Sequence, residues 1–183
     1  MSRCSPWLDK PDGAESGTGR AITTDCWSAP LAAEADGEMG PRRVFVDTGA
    51  WYALQVSDDA WHRTAVATLE ALVAAPHVLL TTNHVIAETY TLLRITCGHA
   101  PALRFLESLE ETRRLERIFV SQAAEARADR LLRQYADQEL SFVDATSFAV
   151  MRAERMRHAF AFDRHFATAG FARVAVDVPL AQL

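Results

Sequence analysis

The stretch Val44-Phe45-Val46-Asp47-Thr48-Gly49-Ala50-Trp51-Tyr52-Ala53-Leu54 decides the fold. Its first three residues are all apolar, with no polar alternation. That pattern predicts a short strand buried on both faces. Asp47 ends the run, and residues 50–56 read as a helix. A buried strand passing at once into a helix is the opening of an α/β unit.

The same grammar continues downstream. A polar turn, Ser57-Asp58-Asp59, separates the first helix from a second over residues 60–75. There Ala65, Leu69, Leu72 and Val73 recur at helical spacing, and Pro76 stops the helix. Residues 78–81 predict a strand. Asn83 is the expected cap of a helix reaching about Thr96, with Gly98 ending it. Further helices are expected over 101–112, 123–135 and 141–156. Strands are expected within 115–120 and over 159–162 and 174–178. Short apolar strands separated by helices imply a three-layer α/β fold, with a mostly parallel central sheet flanked by helices. Right-handed crossovers place the strand C-termini on one edge, and ligands of such folds sit in the crevice beyond it.

Four acids fall near that edge: Asp47, Glu88, Asp144 and Asp163. Each also has an ordinary structural explanation. Asp47 and Asp163 suit helix caps. Ser141-Phe142-Val143-Asp144 matches a capping box. Glu88 shares a helix flank with Val85 and Leu92, where an Arg could neutralise it; 14 Arg lie between residues 44 and 183. Together, however, four converging carboxylates would repel one another and raise their pKa values. A divalent cation removes that conflict. Oxygen-only ligation selects Mg²⁺ or Mn²⁺ over zinc. Such a site suits phosphoryl transfer, where a cation polarises phosphate and activates water.

The remaining composition narrows the classes. With 183 residues, 49% hydrophobic and 23% charged, the chain has room for one globular domain with a real core. The net charge is -5, so any polyanion-binding surface must be local. Of 19 basic residues only Lys10 is Lys, a bias that fits genomic base composition. Cys4, Cys26 and Cys97 match no zinc or redox spacing, and the six histidines lack close ligand spacing. No run of about 18 apolar residues exists to span a membrane, and the N-terminal residues lack the apolar middle region of a secretion signal. A cytoplasmic location is expected.

With these residues in place, the chain resembles the PIN-domain ribonucleases, particularly VapC-type toxins of toxin–antitoxin systems. The resemblance rests on Val44 to Leu54, on Ala87-Glu88-Thr89, on Leu140 to Met151 and on Ala161-Phe162-Asp163-Arg164-His165-Phe166. It covers residues 44–178. It implies a PIN-like fold in which Asp47, Glu88, Asp144 and Asp163 are the catalytic, metal-holding acids and Thr48 orients the site. It further implies Mg²⁺- or Mn²⁺-dependent hydrolysis of RNA to 5′-phosphate and 3′-hydroxyl ends, a homodimer, and a cognate antitoxin that blocks the site. Arg164 is a candidate RNA contact. Trp51 and Tyr52 could stack on bases or belong to the core.

Other readings stay open at this level. A PIN-like domain can act as a non-catalytic RNA- or protein-binding module, and related nucleases cut DNA. Phe45-Val46-Asp47-Thr48-Gly49 also looks like the active-site turn of an aspartic protease. The long amphipathic helices oppose that mostly β fold.

Residues 1–40 differ from the rest: rich in Gly, Ser, Thr, Ala, Pro and acids, with no sustained periodicity. They read as a disordered extension before a nuclease domain at 41–183. Met39, immediately ahead of the first strand, is the expected initiator. The intact mass of the natively expressed protein should then correspond to residues 39–183; a mass matching Met1 would disprove this.

Overall fold

A computed structural model describes residues 42–112, 114–136 and 138–179. The expected extension and the Met39 start lie outside the described residues. The elements in chain order are β1 (Arg43–Val46), α1 (Thr48–Gln55), α2 (His62–Ala74), β2 (Val78–Thr82), α3 (Asn83–Thr96) and α4 (His99–Glu111). There follow β3 (Leu115–Ile118), α5 (Gln122–Gln134), α6 (Phe142–Ala153), β4 (His158–Phe160), α7 (Arg164–Thr168) and β5 (Ala172–Arg173).

The strands form one sheet in the order β3-β2-β1-β4-β5, and every pairing is parallel. β1 is central, with Phe45 opposite Leu80 on one side and Ala159 on the other. Val44, Phe45 and Val46 are fully buried, as their unbroken apolar run requires. The chain steps from β1 to β2 to β3, then returns to β4 and β5 on the far side of β1. Right-handed crossovers therefore put α1 to α4 on one face and α5 to α7 on the other. The reversal between β1 and β4 is the switch point of the sheet, where a crevice opens beyond the strand ends.

Both faces bury large side chains. On the first, Trp51 of α1 packs against Phe105 of α4, 5.9 Å between ring centroids. Its indole N–H donates to Thr81 Oγ1, which donates in turn to the Val46 carbonyl, so the buried polar atoms are satisfied. On the second, Phe148 of α6 meets Phe166 edge-on at 5.0 Å and lies 5.7 Å from Phe171. Phe166 also lies 6.3 Å from Phe45, which joins this cluster to the sheet.

Two local expectations are corrected. Thr82, not Asn83, caps α3: its extended backbone ends β2, and its hydroxyl accepts Val85 N–H. Asn83 instead accepts Val120 N–H at 2.8 Å, tying the segment after β3 to the start of α3. The final strand is Ala172–Arg173, ahead of the expected 174–178. Asp177 accepts the backbone N–H of Arg173 and two bonds from its guanidinium, each 2.9 Å. This clasp folds residues 174–178 into a turn, with only Val174 and Val178 bridged.

Phe148 is fully buried between the sheet side and α7. Phe148→Ala should lower unfolding free energy by about 3–5 kcal/mol, read from urea denaturation at constant m.

Candidate active site

The strand C-terminal edge gathers the four acids from four elements. Asp47 follows β1, and its own N–H donates to the Phe160 carbonyl of β4 at 3.1 Å. Its Oδ2 accepts Gly49 N–H at 3.2 Å and caps α1. Asp144 forms a capping box at the start of α6: Ser141 Oγ accepts Asp144 N–H, and Asp144 Oδ2 accepts Ser141 N–H, both 2.9 Å. Asp163 caps α7, its Oδ1 accepting His165 N–H at 2.8 Å. Glu88 reaches the edge from the second turn of α3, and its Oε2 accepts the Thr48 hydroxyl at 2.5 Å.

Asp47 and Asp163 are thus helix N-caps, and Asp144 closes the capping box of Ser141. Each of these side-chain caps engages a single carboxylate oxygen, so capping and ion binding are compatible in one residue. Capping also fixes the side chain, and helix N-termini favour negative charge.

Asp144, Asp163 and His165 each offer a ligand atom, all within 4.8 Å of one another. Asp47 and Glu88 lie outside that tight group but within its electrostatic reach. Burial pushes the Asp47 carboxyl well above the usual range, with the Asp144 charge adding to it and the Gly49 and Thr48 N–H groups opposing. Asp144 rises to about 6, first through burial and then through the Asp163 charge; Glu88 contributes further. Asp163 goes the other way. Burial would raise it, but His165 and the α7 amides hold it below the usual value. The His165 pKa is raised by the same contact. Its Nδ1 stands 2.9 Å from Asp163 Oδ1, a close charge contact without hydrogen-bond alignment.

Among the described residues, no Arg or Lys forms an ion pair with Asp47, Glu88, Asp144 or Asp163. The Thr48 hydroxyl meets Glu88 where an Arg was considered as its partner. The donor set therefore fits a hard divalent cation: several carboxylates, one imidazole, and mutual repulsion that His165 only partly relieves.

His165 is the member that sequence reasoning misses. Spacing between histidines and cysteines does not find it, because its companions are carboxylates. The signal is local: a His two residues after an acid that caps a short helix lies beside the cap. Trp51 and Tyr52 are 2% and 7% exposed and belong to the core, which settles the choice left open above. Arg164 is exposed beside Asp163. A groove of about 530 Å³ extends from Glu88, lined also by His84, Leu92, Ile95, Glu125 and Phe142.

These shifts set the pH dependence of stability without added metal. Asp144 holds a proton up to about pH 6, whereas in the unfolded chain it releases it near 3.8. Between those values the native state binds more protons, so stability falls as pH rises through the window. Asp163, with its lowered value, acts oppositely and only at lower pH. In EDTA, the melting temperature should decline from pH 4 to pH 6. Asp144→Asn should flatten that decline and melt above wild type at pH 7. Unchanged curves would contradict the repulsion.

The sequence matches the PIN domain family over residues 44–172. It is 42% identical over 132 residues to the 23S rRNA-specific endonuclease VapC20 of Mycobacterium tuberculosis, in each of two strains, across 72% of this chain and 97% of the relative. The crystal structure of Mycobacterium tuberculosis VapC20, a sarcin–ricin loop cleaving toxin, has a TM-score of 0.64 and 40% identity, covering 70% of this chain and 96% of that one. The resemblance first carried by the strand-end acids therefore extends through the whole sheet, and this chain belongs to the PIN-domain family, among relatives of the VapC type.

Proposed function

We propose that the domain at 41–183 is a Mg²⁺- or Mn²⁺-dependent endoribonuclease, the toxin of a VapBC-type pair. The observation that carries this reading is the grouping of Asp144, Asp163 and His165 beside Asp47 and Glu88, with no Arg or Lys among the described residues paired to the acids. Asp47, Glu88, Asp144 and Asp163 are the proposed catalytic and metal-holding residues. A bound divalent cation supplies positive charge to the scissile phosphate and makes water a better nucleophile.

The chain's own groups do the rest. The caps on Asp47, Asp144 and Asp163 hold the carboxylates rigid, so no reorganisation is needed when substrate arrives. One of the four carboxylates would also orient the attacking water. The Thr48 hydroxyl positions Glu88 on the opposite wall. The His165 imidazole, 2.9 Å from Asp163 Oδ1, completes the donor group beside the acids. The water oxygen bonds to phosphorus and passes its proton to a site carboxylate, while the bond from phosphorus to the 3′ oxygen breaks and that oxygen leaves with the electron pair and takes up a proton from solvent. The products are a 5′-phosphate and a 3′-hydroxyl.

The substrate proposed first is 23S rRNA, because VapC20 is named for that target. A cognate antitoxin, a homodimer and a cytoplasmic location complete the reading. Among the described residues no helix is long and apolar enough to cross a membrane. A non-catalytic binding module is the competing reading.

Purified, antitoxin-free protein should cut total RNA, and a stem–loop RNA carrying the sarcin–ricin loop, when Mg²⁺ or Mn²⁺ is present. EDTA, Asp47→Asn and Asp144→Asn should each reduce cleavage by at least roughly a hundredfold, the upper end seen for residues behind metal ligands. Metal-independent cleavage would refute the mechanism. No cleavage of either RNA by folded, metal-loaded protein would favour the binding module.

A further inference from the structure

Trp61 breaks a local rule. It occupies the N-cap position of α2, where a small polar residue stabilises a helix, and makes no side-chain cap bond. It is also 43% exposed, although indole is among the most costly surfaces to leave in water. A residue that violates local preference without structural gain marks a site to be explained.

Its neighbour gives the explanation. The Trp61 ring lies nearly parallel to that of Phe162, with centroids 4.7 Å apart and planes 11° from each other. Phe162 is next in sequence to Asp163, and is held in turn by Phe160 edge-on at 5.9 Å. Arg173 donates to the Phe162 carbonyl at 3.0 Å. The loop under Trp61 is equally fixed. Asp59 Oδ1 accepts the Trp61 N–H at 2.8 Å, and His62 Nδ1 sits 2.7 Å from the Ala53 carbonyl. The stack is therefore a fixed aromatic ledge joined to the acidic centre through Phe162, the residue before Asp163.

The charges around it suit a polyanion. Arg63 and Arg164, each two residues from a ring of the stack, are exposed, and neither is in an ion pair among the described residues. Asp58 and Asp59 keep their charge in the turn, where Asp59 accepts the Trp61 backbone N–H and Asp58 the Ser57 hydroxyl. An aromatic face flanked by arginines is the combination that binds single-stranded nucleic acid, by stacking a base and pairing its phosphates. An unpaired base is the occupant, because flanking pairs cannot lie flat on a ring while still stacked in a duplex.

We propose that Trp61, preorganised by Phe162, stacks on an unpaired base beside the scissile phosphate and so positions the RNA strand. This rests on the nuclease reading above. Stacking on a base that the reaction leaves unchanged is the same in ground and transition states, so it acts on KM rather than kcat.

The test uses the full chain and the sarcin–ricin stem–loop RNA. Trp61→Ala should raise KM about tenfold with kcat within about twofold, while Trp61→Phe, which keeps a flat ring, retains most of the affinity. In EDTA, where no cutting occurs, RNA should quench indole emission of the wild type. That quench should vanish in Trp61→Phe although fluorescence anisotropy of labelled RNA still reports binding. Equal melting temperatures confirm that the variants fold. An unchanged KM in Trp61→Ala, or a quench that persists in Trp61→Phe, overturns the ledge while leaving the nuclease intact. Failure of the wild type to bind or cut the RNA overturns both readings together.

Discussion

The repulsion among carboxylates at the strand C-terminal edge constrains everything around it. Asp47 is 5% exposed and sits at the end of a strand whose last three residues never meet water. A charge in that position is costly unless something compensates it. The protein supplies amide N–H groups, one hydroxyl and one imidazole, and no Arg or Lys paired to the acids among the described residues. The deficit is structural, because β1 must be apolar to sit between β2 and β4, and the crevice it opens lies at the switch point of the sheet.

The same constraint accounts for the economy of the site. A carboxylate at a helix N-terminus is stabilised by backbone amides before any ligand arrives. Asp47, Asp144 and Asp163 all exploit this, so the site is assembled from the starts of α1, α6 and α7. The structural role and the chemical role were competing explanations while each residue was considered singly. In three dimensions they are one arrangement, since capping is what gives the acids fixed directions.

Rigidity continues outward. The Asp47 N–H to Phe160 bond stitches the site to β4, and the Phe148–Phe166–Phe171 cluster seats α6 and α7, which carry Asp144 and Asp163. Asp163 is thereby held beside Phe162 and its stacked indole. Packing on the second face thus sets the spacing of the carboxylates.

Much of this was legible in the chain itself. The unbroken apolar run at Val44–Val46 and the alternation with amphipathic helices dictated a covered parallel sheet. The acids at element boundaries follow from local grammar, as does the Ser141–Asp144 box. The closing turn did not: residues 174–178 alternate like a strand, but the Arg173–Asp177 clasp wins over β propensity. Asn83 reads as a cap, yet Thr82 already has the extended backbone a cap needs. Tertiary structure alone decided which acids form the tight group, that His165 joins them, and that Trp51 is core while Trp61 is exposed. Local sequence sets backbone preference and the face a residue occupies. Distances between side chains on different elements depend on how the helices seat against the sheet, which is fixed by the summed packing of residues far apart in the chain.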